Sequence, residues 1–144
     1  RPSVEWMEGI DLSPAMVEQA RRKNLYDRLE VCDLTEVLDR HQHADARFNL
    51  VVAADVFVYC ADLTLIAALV AQVLASDGLF AFTVETHDGG GVILGPKLRY
   101  AHGEMHVRQA LEAAELSVLR LEAVSTRNEA DVPVPGLLVI VGRA

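Results

Sequence analysis

Only two cysteines, Cys32 and Cys60, occur in the 144 residues. Their spacing suggests neither a metal site nor a disulfide framework. Both stand in apolar stretches and read as buried thiols, which fits a reducing, cytoplasmic setting. Positive charge is scarce: 13 basic residues face 21 acidic ones, a formal charge of −8. That balance argues against nucleic acid as the main partner, since phosphate binding needs clustered Lys and Arg. The single basic run, Arg21-Arg22-Lys23, reads as a solvated helix end. No apolar run is long enough to cross a membrane, and no secretory signal is visible. There is no internal repeat, low-complexity tract or second-domain boundary, so residues 1–144 read as a single domain with a real core. A glycine-rich loop is also missing ahead of Asp11. The chain opens on Arg1 rather than Met, and is read as part of a longer chain truncated at its start.

What is present is a repeated strand-acid-helix arrangement. Glu8-Gly9-Ile10-Asp11, Leu29-Glu30-Val31-Cys32-Asp33 and Asn49-Leu50-Val51-Val52-Ala53-Ala54-Asp55 each end an apolar segment in a carboxylate. Three carboxylates at the carboxyl ends of strands suggest a nucleotide-type crevice on one rim of a parallel sheet. Val4 to Ile10 reads as the first strand. Ser13 and Pro14 suit the N-cap and first position of a helix running to about Asn24. Leu29 to Cys32 is a second strand, Thr35 to Asp39 a brief helix and His41 to Arg47 a polar loop. Phe48 to Ala54 is near-continuously apolar, as in a strand buried on both faces. Asp62 caps a helix over Leu63 to Ala75, which Ser76-Asp77-Gly78 ends. Leu79 to Glu85 is the next strand. Thr86 to Tyr100, with Gly89-Gly90-Gly91 and Gly95-Pro96, reads as a mobile loop with a hairpin excursion. A helix over Glu104 to Glu115 precedes two β segments, Ser117 to Thr126 and Leu137 to Gly142, with a polar loop between them holding Pro133 and Pro135. The order is β-α-β-α-β-α-β-loop-α-β-β. It predicts an α/β, Rossmann-like, mostly parallel sheet with helices on both faces and an antiparallel last strand.

Several polar residues invite a functional reading and have a plainer one. Asp11 and Asp33 are strand-end acids that equally suit helix caps; Asp55 is a site carboxylate or a loop residue. His41 and His43 read as solvated. His102 and His106 have the i, i+4 spacing of one helical face, but no third or fourth ligand accompanies them, so no metal is expected. His102 is a weak general-base candidate, against a structural role. Glu85, at a strand end, is a weak candidate for orienting a substrate, against simple solvation. The three glycines do not lie between a strand and a helix, so they read as a lid or hairpin tip rather than a phosphate cradle.

Taken together, Gly9-Ile10-Asp11-Leu12-Ser13, Cys32-Asp33-Leu34, Phe48 to Val56, and Val73-Leu74-Ala75-Ser76-Asp77-Gly78-Leu79-Phe80 resemble the class I S-adenosylmethionine-dependent methyltransferases. The likeness begins at that family's second strand and spans nearly the whole chain. The stretches Leu98-Arg99-Tyr100-Ala101-His102 and Val134-Pro135-Gly136-Leu137-Leu138 are similar to a predicted bacterial branch often linked to tetratricopeptide repeats. The resemblance implies S-adenosyl-L-methionine as cofactor. It implies that Asp11 accepts hydrogen bonds from both ribose hydroxyls, that Leu12 and Met16 line the adenine side, and that Asp33 takes the adenine amino group beside Leu34. It implies that Ala54 and Asp55 lie along the methionine part, and that Tyr59 borders the acceptor pocket. Methyl transfer to an O, N or C atom of a small-molecule acceptor follows, with no membrane partner and a tetratricopeptide-repeat region or a partner chain upstream. The family's first strand and its glycine-rich turn are missing here, so the chain as given is expected to bind cofactor poorly. Two other readings remain from the residues alone: a nicotinamide-dependent oxidoreductase, whose Rossmann fold also ends its second strand in an acid, and a non-catalytic interaction module.

Overall fold

The computed structural model describes residues 3–144, which fall into two compact units, residues 1–44 and 45–144. In the first unit, β1 (Glu8–Asp11) pairs in parallel with β2 (Arg28–Val31), in the register Glu8 opposite Arg28 to Asp11 opposite Val31. The strand expected from Val4 is shorter than its apolar pattern suggested. Before Glu8 the chain is tied by turn-type bonds instead: the Asp27 carboxylate accepts from the Met7 N–H at 2.8 Å and the Met7 carbonyl accepts from the Asp27 N–H at 2.8 Å. Helix α1 (Pro14–Arg22) begins as the sequence indicates, with Ser13 Oγ accepting from the Met16 N–H at 3.4 Å and Val17 buried. It ends at Asn24, whose φ of 51° leaves the helical region.

Helix α2 (Leu34–His43) corrects the sequence reading of a brief helix followed by a polar loop. Its length comes from side chains that return to the strands. Val37 and Leu38 are buried. Arg40 donates to both Glu30 oxygens, at 2.9 and 2.7 Å. His41 Nε2 lies 3.1 Å from Glu8 Oε1, so His41 is largely enclosed rather than solvated. The thiols are half-buried rather than fully buried, and Cys32 Sγ donates to Glu36 at 3.3 Å.

The second unit is built on a six-stranded sheet. β4 (Leu74–Glu85) is its spine: β8 (Val132–Arg143) lies antiparallel along one edge, and β3 (Phe48–Ala53) is paired with it in parallel. β7 (Leu116–Glu129) lies outside β8 and antiparallel to it. A small hairpin, β5 (Val92–Leu94) and β6 (Tyr100–His102), joins β4 through Glu85 opposite Ala101. The expected α/β architecture with an antiparallel last strand is therefore what the chain adopts, and the glycine-containing segment holds the anticipated hairpin. Helices α3 (Thr64–Val73) and α4 (Glu104–Ala113) pack on one sheet face, where Ile66, Val107 and Leu111 meet Phe80 and Phe82. A 3-10 turn, Phe57–Tyr59, adds Phe57, whose ring meets those of Phe80 and Phe82 edge-on at 6.1 and 5.4 Å.

Three expectations for this unit are corrected. β3 is not buried on both faces: Leu50 and Val52, two apart and so on one face, are 56% and 63% exposed, and among the described residues the strand pairs only with β4. Ser76-Asp77-Gly78 does not separate α3 from the next strand. β4 starts directly at Leu74 and absorbs those residues in an irregular stretch, where the register passes from Phe48 opposite Leu74 to Leu50 opposite Leu79. The backbone comes so close there that a Cβ on Gly78 would sit 2.8 Å from the Phe48 carbonyl oxygen. Finally, the polar loop expected around Pro133 and Pro135 is a long hairpin. Ala130 and Asp131, with φ of 47° and 63°, form its two-residue turn, the conformation that matches the twist of paired strands.

Candidate functional site

In the first unit the sequence-predicted residues gather around the carboxyl ends of β1 and β2. Asp11 is exposed at the end of β1, and its Oδ1 accepts from the Ser13 N–H at 2.8 Å. That bond fixes the carboxylate and leaves Oδ2 without a partner among the described residues. Leu12 and Met16 stand beside it with 69% and 51% of their surface exposed. A recess of about 210 Å3 is lined by Asp11, Ile10, Met16, Lys23 and Tyr26 among others. Asp33 is the N-cap of α2: one oxygen accepts from the Thr35 N–H at 2.8 Å and from the Thr35 hydroxyl. Those bonds, the hydroxyl first, hold its carboxyl below the ordinary range. The plainer reading of Asp33 as a cap is thus realised, and Leu34 is the first residue of the helix it caps.

In the second unit the rim is charged and densely bonded. Ala54 and Asp55 follow β3; the Asp55 N–H donates to the Thr83 hydroxyl at 3.1 Å, and Asp55 has a φ of 57°. Arg99, just before β6, reaches three groups at once. Its Nε donates to Glu85 Oε1 at 2.7 Å, its Nη2 to Asp55 Oδ1 at 2.6 Å and its Nη1 to the Tyr59 hydroxyl at 3.2 Å. Glu85 Oε1 also accepts from Arg127 Nε at 3.0 Å, and Arg127 is held in turn by Glu129 at 3.0 Å. Burial works against the Arg99 charge, but the bonds to Glu85 and Asp55 outweigh it and hold the guanidinium above its ordinary pKa. Glu85 is therefore neither solvated nor open to a ligand through that oxygen; it is the buried seat of two arginines. Tyr59 is 68% exposed.

His102 is fully buried. Its Nε2 lies 3.1 Å from the Phe57 carbonyl oxygen, so Nε2 carries the proton, and Nδ1 is buried without a partner among the described residues. The ring stacks on His106 with centroids 5.5 Å apart. Burial lowers the His102 pKa. A sealed imidazole has no route for a proton to an acceptor, so the structure gives His102 a packing role. Gly89-Gly90-Gly91 is no lid tip: Gly103 packs against it, donating to the Gly91 carbonyl at 2.7 Å.

Arg99 and Arg127 were not singled out from the sequence. Arg99 meets partners 14, 40 and 44 residues away, and no local spacing announces such a set. Among the described residues no three His, Cys, Asp or Glu side chains converge as a metal-ligand group. No described helix is long and apolar enough to cross a membrane.

The methyltransferase-domain family matches residues 5–82, more than half of the chain. No curated protein matches it. Among solved structures, an S-adenosylmethionine-dependent methyltransferase from Clostridium acetobutylicum aligns over 99% of this chain and 77% of its own, with a TM-score of 0.72 and 16% identity. The magnesium protoporphyrin IX methyltransferase from Synechocystis, with bound S-adenosylmethionine, covers 96% of this chain at a TM-score of 0.68 and 19% identity. The 1,6-didemethyltoxoflavin-N1-methyltransferase of Burkholderia thailandensis, with its acceptor and S-adenosylhomocysteine bound, covers 95% at a TM-score of 0.72 and 19% identity. The chain spans 60% of each of these last two proteins. The strand-acid-helix order, the antiparallel β8 and the family match agree, and the chain belongs to the methyltransferase-domain family, with the class I S-adenosylmethionine-dependent fold.

Proposed function

We propose that the protein transfers the methyl group of S-adenosylmethionine to an O, N or C nucleophile of a small-molecule acceptor. The observation that carries the reading is Asp11: a strand-end carboxylate with one oxygen pinned by the Ser13 N–H, the other open, and bare apolar surface from Leu12 and Met16 beside it. Two carboxylate lone-pair sites suit a vicinal diol, and the exposed Leu12 and Met16 suit a flat aromatic base. The residues present thus fit the nucleoside part of this cofactor. When bound, the cofactor supplies a methyl already activated by its sulfonium charge.

The chain's own residues then bind, align and exclude water. In the first unit, Asp11 would hold the ribose hydroxyls. Leu12, Met16 and Leu34 would face the adenine, and Asp33, at the cap of α2, would border its amino group. In the second unit, taken by itself, Ala54 would leave room for the methionine part, Asp55 would border it, and Tyr59 would border the acceptor. No nucleophile-base pair is required, because the leaving group is built into the donor. A small-molecule acceptor is supported by the Burkholderia structure, which holds 1,6-didemethyltoxoflavin. Among the described residues the second edge of β3 is unpaired, which leaves room for a further strand beside it. A cytoplasmic setting fits the thiol of Cys32, which bonds to Glu36 rather than to a second sulfur.

Titration of the full-length protein with S-adenosylmethionine, S-adenosylhomocysteine and NAD tests this. Saturable binding of the first two alone is expected. Binding of NAD alone would make the protein an oxidoreductase, and binding of none an interaction module. Asp11→Ala is expected to weaken S-adenosylhomocysteine by about 1.5–3 kcal/mol, the usual worth of hydrogen bonds to a charged group; an unchanged dissociation constant refutes the ribose role.

A further inference from the structure

The bonding around Arg99 is more elaborate than an ion pair that merely closes a loop. Its side chain is 15% exposed and its guanidinium carbon lies 5.5 Å from the centre of the Tyr59 ring. The segment before it is shaped to aim it: Gly95 donates to the Arg99 carbonyl at 2.8 Å, Leu98 donates to the Gly95 carbonyl at 3.0 Å, and Leu98 itself has a φ of 57°. The planar fork then spends its donors on three groups from three elements. Two of them, Asp55 and Tyr59, are 57% and 68% exposed and lie on the rim that follows β3; the third, Glu85, is buried. An exposed aspartate and an exposed tyrosine sample several rotamers unless something holds them. Here one cation, anchored from beneath by Glu85, holds both. Because the Tyr59 oxygen accepts from Arg99, its own hydroxyl proton is left to point elsewhere.

Resting on the function proposed above, we propose that Arg99 is a positioning residue of the carboxyl rim of β3 and β4. Seated on Glu85, it sets the direction of the Asp55 carboxylate and turns the Tyr59 O–H outward, toward a lone-pair oxygen or nitrogen on the methyl-accepting molecule. Arg127 serves the seat, not the rim: it shares Glu85 Oε1 and is braced by Glu129. Lysine at position 99 is not equivalent, since a point charge cannot serve three directions at once.

The test is a double-mutant cycle in the full-length protein, read by calorimetric titration with S-adenosylhomocysteine and by melting temperature. Arg99→Met is expected to weaken binding about tenfold, in the range of coupling between charged partners in contact. In an Asp55→Ala background the same change is expected to have less than about a twofold effect, because the group through which it acts is gone. Arg99→Lys is expected to recover only part of the affinity, and it carries the cycle if the methionine variant does not fold. Equal losses in both backgrounds, or a lowered melting temperature with unchanged affinity, would overturn the proposal and leave Arg99 a structural brace. Weakening by Asp55→Ala without any by Arg99→Met would overturn it while the cofactor reading stands. A wild-type protein that takes up no S-adenosylhomocysteine would overturn both.

Discussion

Single residues in this protein are defined by what their neighbours leave them. His102 has no accessible surface, donates to the Phe57 carbonyl and keeps an Nδ1 with no partner among the described residues. His106 and His87 lie near enough to oppose a second positive charge, and Asp62 is the acid within electrostatic reach of His102 and His106. Burial lowers its folded-state pKa, so the unfolded chain binds this proton more readily than the folded one. The sign follows: stability is full above the unfolded value of about 6.5 and falls as pH drops from there through the folded value. The slope from this one site is at most about 1.4 kcal/mol per pH unit. Denaturant melts between pH 5 and pH 7.5 check this. His102→Gln, which retains an N–H donor for Phe57, is expected to flatten the acid limb; an unchanged limb would assign it to the carboxylates. Asp33, in the first unit, is defined the same way. Its position at a strand end was visible, and so was its alternative as a cap, but the choice between them lay in the Thr35 hydroxyl and N–H, which only the folded backbone brings into place.

At the scale of elements, existence was easier to read than extent. The helix signals from Ser13-Pro14 to about Asn24 and over Leu63 to Ala75, and the β-rich stretch Ser117 to Thr126, are local, and each became the kind of element it indicated. The ends were set by distant groups. α2 runs on to His43 because Arg40 and His41 find Glu30 and Glu8 on the strands, and the β7–β8 hairpin swallows two prolines because its turn falls at Ala130 and Asp131. The glycine run shows the same limit. Gly103 donates to Gly91, and a Cβ on Gly103 would fall 1.8 Å from the Gly89 carbonyl, whereas one on Gly91 would touch nothing within 4 Å. Gly103→Ala is therefore expected to cost about 3 kcal/mol or more from overpacking against backbone. Gly91→Ala, in open space and at an ordinary backbone angle, is expected to be neutral or to stabilise by about 0.5 kcal/mol through the unfolded chain. Chemical denaturation of the two variants side by side checks the contrast.

For the molecule as a whole, the two units differ in how much core each owns. Residues 1–44 bury Val17, Val37 and Leu38 beneath a two-stranded sheet, whereas residues 45–144 bury an aromatic cluster and most of two helices' apolar faces under six strands. Two strands alone are marginal in water. Native-state hydrogen exchange is expected to show amides of β1 and β2 opening at lower free energy than those of β4 and β8; equal protection across both would mean the chain opens only as one body. The larger unit has its own logic of assembly. β8 supplies Leu137, Val139 and Val141 to the core and sits between β4 and β7. A nascent chain released up to Pro135 therefore holds two strands with no bridge between them and an open groove of backbone donors and acceptors. Closure of this unit therefore waits on β8: the strand made after both of its neighbours is the one that slots between them, and a chain interrupted within it is left suited to chaperones and proteases rather than to catalysis.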